Sequence, residues 1–158
     1  MKPIATPFAL DRFVPYRLSV LSNTVSDAIA GLYRDRFGLT IPEWRCMAVL
    51  GSFAPLSASE VATRTAMDKV QVSRAVAALL QKGFALQATD RQDRRRSKLA
   101  LSAAGSRVYA RIVPLAQAAE AELLAALSPP ERKSLSALLD KLSAHAASLA
   151  QQRKGSEE

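Results

Sequence analysis

The side chains with the most chemistry to offer are cations, and they are crowded together. Between Arg64 and Arg111 lie eleven Lys or Arg residues and three Asp, a surplus of +8. The whole chain of 158 residues also carries +8, so everything outside that stretch is electrically neutral. Excess positive charge confined to one stretch points to a polyanionic partner. Part of it is the run Asp90-Arg91-Gln92-Asp93-Arg94-Arg95-Arg96. Four Arg at one tip repel one another, so stability does not explain them. Arg inserted into a narrow minor groove would, and the plain alternative is a solvated turn. Asp93 is expected to pair with one of these arginines and aim it.

Reading base edges needs a different arrangement, and the stretch 68–83 supplies it. Asp68-x-x-Gln71 is a capping box that starts a helix over about 69–82, and Gly83 closes it. At about 100° per residue, Val76, Leu79 and Ala75 fall on the side of Val72, and Val70 and Arg74 fall opposite. An exposed β-branched residue beside an exposed Arg suits a major groove, where methyl meets thymine methyl and guanidinium forks to guanine.

Something must hold these groups. From Pro15 to about Phe37, Leu18, Leu21, Val25, Ala28, Ile29 and Leu32 recur at steps of three and four, the stripe of an amphipathic helix. Residues 1 to about 13 read as an irregular arm. Thr40 with Pro42-Glu43 opens a helix over about 42–53, and Ser57 with Glu60 caps a short one before Thr65-Ala66. Two short helices joined by a tight turn form a helix-turn-helix. Runs 84–89 and 97–101 alternate as a β-hairpin, with Leu86 and Ala88 expected on the face of Leu99 and Leu101. Ser102 starts a helix over about 103–126, in which Pro114 predicts a kink or break. Ser128-Pro129-Pro130-Glu131 starts the last helix, striped by Leu135, Leu138, Leu142 and Leu149. The first helix's stripe must bury itself in the protein's own core or against a partner subunit.

Composition narrows the function classes. No Gly-rich phosphate loop, no His beside a nucleophile and no paired carboxylate in an apolar setting can be found, so nothing argues for an enzyme or a cofactor. One Cys and one His cannot build a usual zinc site. Cys46, beside Arg45, is either a small buried hydrophobe or a redox sensor. No apolar run approaches the roughly 18 residues of a membrane span, and the N-terminus lacks a signal-peptide core. A cytoplasmic protein is expected.

Helix, helix-turn-helix, wing and long terminal helices, in that order, resemble the MarR family of bacterial transcription regulators over roughly residues 15 to 150. Three segments carry the resemblance: GLTIPEWRCMAVLG, LSASEVATRTAMDKVQVSRAVAALLQKGF and DRRRSKLALSAAG. Asp93, Arg95, Leu101, Ser102 and Gly105 match the family's wing, with Ser102 where Thr is more usual. Ala77 and Ala78 replace commoner charged residues. The resemblance implies a mainly α fold with a small β-hairpin wing. Residues 43–102 would be the winged helix-turn-helix domain, and 1–42 with 103–158 the helical dimerisation region.

It also implies a homodimer that reads a pseudo-palindromic double-stranded DNA site. Val70, Gln71, Ser73 and Arg74 would then read the groove. Lys69, Ser59 and Arg64 would meet phosphates, and Arg94 and Arg95 would enter the minor groove. Thr63 and Thr65 are expected to be structural, and Ser73 has packing or capping as its plain alternative. Family members often bind small aromatic acids or phenols beside the dimer helices, which makes Tyr16, Arg17, Trp44 and Arg45 the ligand candidates. The plain alternatives are core for Trp44 and an ion pair across the dimer for Arg17. From a different class, the basic face could dock acidic protein or coat nucleic acid without reading sequence.

Overall fold

The computed structural model describes residues 8–89 and 97–154. Its helices and strands are α1 (Val14–Phe37), α2 (Ile41–Phe53), α3 (Ala58–Thr65), α4 (Lys69–Gln81), β1 (Ala85–Thr89), β2 (Ser97–Leu101), α5 (Ala103–Leu124) and α6 (Pro129–Lys154). In the described part of the expected irregular arm, Leu10–Arg12 form a 3-10 turn.

Each boundary has a local cause. Gly38, at φ 63°, ends α1 in the left-handed conformation that glycine adopts without penalty, and its N–H closes on the Arg34 carbonyl. Thr40 and Glu43 form a complete capping box at α2, as do Ser57 and Glu60 at α3. At α4 half of the expected box forms, with the Asp68 carboxylate accepting from Gln71 N–H at 2.8 Å. Before α6, both the backbone N–H and the hydroxyl of Ser128 donate to Glu131 at 2.7 Å. These bonds hold the Glu131 carboxyl below its usual range. Of the kink or break expected at Pro114, there is no break: α5 is continuous through it.

The core is built where these elements meet. Tyr33 from α1, Met47 and Leu50 from α2, Val61 from α3, Leu79 from α4 and Leu99 from β2 are all buried. Ile112 carries the core into α5. Strands β1 and β2 are antiparallel, with Ala85 opposite Leu101 and Gln87 opposite Leu99. The expected β1 face is therefore wrong. Leu86 and Ala88 sit opposite Ala100 and Lys98, and Leu86 is 57% exposed. Side chains alternate along a strand, so an error of one residue inverts every face. Ala85 goes inward and is buried, and next to it Gly105 of α5 lies against the Phe84 backbone, where a Cβ on that glycine would collide with the Phe84 carbonyl oxygen. The sheet is anchored by Leu56, which exchanges both backbone hydrogen bonds with Leu99.

Two compact units divide the chain at residue 116. In the second, every described side chain of α6 is exposed, including Leu138 and Leu142. In the first, the N-terminal half of α1 likewise exposes Val14, Tyr16, Leu18 and Leu21. No helix among the described residues is long and apolar enough to cross a membrane.

Candidate nucleic-acid interface

Helix α4 presents two unlike faces. Val72, Ala75, Val76 and Leu79 are buried. Opposite them, Val70 is 59% exposed, and Lys69, Gln71, Ser73 and Arg74 also face solvent. Burial thus falls where the angular spacing predicts. An isolated helix of 13 residues would be marginal in water. Its packed face is what holds the exposed one at a fixed orientation.

Helix α3 contributes less uniformly. Ser59 is exposed near the start of the helix. The guanidinium of Arg64 lies 4.4 Å from the centre of the Phe53 ring, so its planar face is already engaged. Thr63 and Thr65 bond to carbonyls within their own helix, the structural role expected of them. Between α3, α4 and the hairpin base lies a groove of ≈ 430 Å³. Ser59, Lys69 and Ser73 line it together with Ala77, Gln87 and Ser97. Gln87 and Ser97 are not among the candidates the sequence offers. Gln87 could have been found as the polar residue on the inward face of β1, but that face had been assigned the wrong way round. The hairpin base is tied to α3 by Lys98, whose ammonium lies 3.2 Å from Glu60. Hydrogen bonds from the Ser57 backbone and hydroxyl, helped by Lys98, hold the Glu60 carboxyl down at about 2. Arg94 and Arg95, and Asp93 that would aim them, lie outside the described residues.

The exit of α4 is more heavily bonded than its entry. Lys82 reaches the Gly38 carbonyl at 2.6 Å and the two Glu43 carboxylate oxygens at 2.9 and 2.8 Å. Ser102, mostly buried, donates to the Gly83 carbonyl at 2.6 Å and accepts from Gly105 N–H at 2.9 Å. Neither Lys82 nor Glu43 was singled out as a pair from the sequence, because 39 residues separate them.

The four ligand candidates do not gather in one chain. Trp44 is sandwiched between rings, with centroids 5.5 Å from Tyr33 and 6.1 Å from Tyr109. Arg45 donates to the Ser26 hydroxyl at 3.0 Å and lines a cleft of ≈ 340 Å³ with Asn23, Asp27, Met67 and Gln71. Arg17 precedes Ser26 by nine residues, about 13 Å along the helix axis. Tyr16 and Arg17 stand on the exposed part of α1. Tyr33 is fully buried, its hydroxyl has no hydrogen-bond partner among the described residues, and burial pushes its ionisation up.

Cys46 is 0% exposed, and burial with the neighbouring Glu43 charge pushes its thiol up to about 11. A reactive thiol needs the opposite environment, accessible and electropositive. Among the described residues, no three of His, Cys, Asp or Glu gather where they could hold a metal ion.

This arrangement has relatives. The MarR family model matches residues 37–96, from the end of α1 past β1 to the residue before β2. An HTH-type transcriptional repressor of Mycobacterium tuberculosis is 28% identical over 131 residues, spanning 82% of this chain and 91% of the relative. The crystal structure of a MarR/EmrR family transcriptional regulator from Acinetobacter superposes with a TM-score of 0.80 at 27% identity, covering 87% and 97% of the two chains. The same fold, at 20% identity and a TM-score of 0.75, occurs in a Staphylococcus aureus MepR–DNA complex, over 85% and 98% of the chains.

Proposed function

Because this chain belongs to the MarR family, and is a DNA-binding transcriptional regulator and not an enzyme, we propose that it acts in the cytoplasm as a homodimeric repressor. Its two winged helices read a pseudo-palindromic operator, and a small aromatic or phenolic acid releases it. Residues 43–102 form the DNA-binding domain. Residues 1–42 and 103–158 form the dimerisation region.

The observation that carries the reading is the exposed face of α4, with the opposite face in the core. Val70, Gln71, Ser73 and Arg74 enter the major groove, and Lys69, Ser59 and Arg64 lie along the phosphates. Arg94 and Arg95 enter the minor groove with Asp93 orienting them. Dimerisation accounts for the apolar residues that α1 and α6 leave in water, such as Leu18, Leu21, Leu138 and Leu142. A symmetric dimer places its two reading helices about 34–36 Å apart, one turn of DNA. For release, the cleft that Arg45 shares with Gln71 gives a ligand a direct route to a groove-reading side chain. Tyr16, Arg17 and Trp44 would take part only as the second subunit completes the site. A ligand lowers DNA affinity by its preference for the misaligned dimer, and by no more than that.

The test is binding to the intergenic DNA upstream of the protein's own gene, against scrambled DNA, at several fixed salt concentrations. Wild type should prefer the native fragment, with affinity falling steeply as salt rises. Arg95→Ala should weaken binding, and Arg74→Ala should also relax base preference. Unchanged affinity in both variants would remove this face from the mechanism. Equal affinity for native and scrambled DNA would favour a basic module that does not read sequence.

A further inference from the structure

Lys82 stands one residue past the end of α4, and all three of its N–H donors are used. They go to the carbonyl of Gly38, which terminates α1, and to both carboxylate oxygens of Glu43, in the first turn of α2. Glu43 is 5% exposed and also accepts from Thr40 N–H at 2.7 Å, as the return bond of the α2 cap. One ammonium therefore joins the end of α1, the start of α2 and the exit of the reading helix. Removing it would leave a buried carboxylate without its cation, which the interior tolerates poorly. Helices α2 and α4 also pack against each other, but α1 and α4 barely meet, so the bond from Lys82 to Gly38 is the direct tie between those two.

The placement of Lys82 separates it from the reading face. Ten residues beyond Val72, it falls on the core-facing side of the helix at about 80° from that residue. It also lies about 20 Å along the axis from Lys69. Nothing in this arrangement brings its ammonium to DNA. It bonds the exit of α4 to the end of α1, the helix whose first half is left with an unburied apolar face.

We propose that Lys82 and Glu43 are a positioning pair for DNA binding: they lock the exit of the reading helix to the end of α1, so that the orientation of α1 sets the pose of α4. The inference rests on the reading face argued under the proposed function. Phosphate contacts and positioning contacts respond differently to salt. Each lost phosphate contact lowers the slope of log affinity against log salt by about 0.9. A lost positioning contact lowers affinity at every salt concentration and leaves the slope alone.

The experiment compares the full-length wild type with Lys82→Met, Lys82→Arg, Glu43→Gln and Arg74→Ala. Each is titrated against the upstream intergenic fragment across a salt series, and each is melted separately. Lys82→Met and Glu43→Gln should bind roughly tenfold more weakly with parallel salt slopes, and Lys82→Arg should recover most of the loss. Glu43→Gln keeps the shape of the site, so it decides the matter if Lys82→Met does not fold. A shallower slope for Lys82→Met would make Lys82 a phosphate contact. A lower melting temperature with unchanged affinity would make the pair structural only. Either result overturns the proposal. If Arg74→Ala binds as tightly as wild type, the reading face itself is wrong and the positioning role falls with it. Weak binding by Arg74→Ala with undiminished binding by Lys82→Met and Glu43→Gln rejects the positioning role alone.

Discussion

Replacing Ser102 by Ala tests how the wing is joined to the rest of the domain. The Ser102 hydroxyl makes two bonds at once. It accepts from Gly105 N–H at 2.9 Å, capping α5, and donates to the Gly83 carbonyl at 2.6 Å, just past α4. The Gly105 donor is buried and lies against Phe84, so water cannot replace the lost partner. Losing an N-cap hydroxyl costs about 1 kcal/mol, and stranding the buried donor takes this toward the top of the capping range. The Gly83 carbonyl sits nearer the surface, can be partly rehydrated, and adds roughly 0.5 kcal/mol. Together these give about 2 kcal/mol. For a protein of this size that lowers the melting temperature by about 4–8 °C. The assay is circular-dichroism melting at one fixed protein concentration, because self-association would make the midpoint concentration-dependent. Ser102→Thr keeps the hydroxyl and should recover most of the loss. A Ser102→Ala protein melting within a degree of wild type would show that neither bond matters and would refute the reasoning.

Other expectations follow from the same geometry. The Cys46 thiol should resist an aromatic disulfide reagent at pH 8 in the folded protein and react at once in denaturant, and rapid native reaction would revive a redox role. Its folded pKa is raised from 9.0 to about 11, so its contribution to stability is complete below pH 9 and is lost as pH rises through about 11. Glu60 runs the other way. Its folded pKa is lowered from 4.5 to about 2, so its contribution is present above pH 4.5 and is lost as pH falls toward 2. Glu60→Gln should flatten that limb of the acid-stability curve, and added salt should shrink the effect because the carboxylate is exposed. Leu138→Glu with Leu142→Glu should give a monomer in sedimentation experiments while the secondary structure of the winged domain persists; a dimer of undiminished affinity would place the interface elsewhere.

The helices were legible because their signals are local. Thr40 with Glu43, Ser57 with Glu60, Asp68, and Ser128 with Glu131 each announce a helix start within four residues, and Gly38 announces an end. The two faces of α4 were also legible, since a helix of known pitch converts sequence spacing directly into angle. The exposure of Val70 and the burial of Val72 are that conversion made visible. The β1 face was not legible. Phe84 to Thr89 contains Ala85, Leu86 and Ala88, and hydrophobicity favours burying Leu86. The register with β2 decides otherwise, setting Ala85 and Gln87 opposite Leu101 and Leu99, and β2 arrives later in the chain.

By itself, then, the sequence determined where the helices begin and end, which side of α4 faces water, and that the positive charge is gathered around that helix and the wing. Only the tertiary structure decided which strand face is buried, that Arg64 spends its guanidinium on Phe53, and that Lys82 finds Glu43 and Gly38. The physical reason is range. Caps, turns and helical pitch act over three to seven residues and can be read from spacing. An ion pair such as Lys82 with the buried Glu43, or a strand paired with its neighbour, depends on elements brought together from far apart, and spacing carries no record of that.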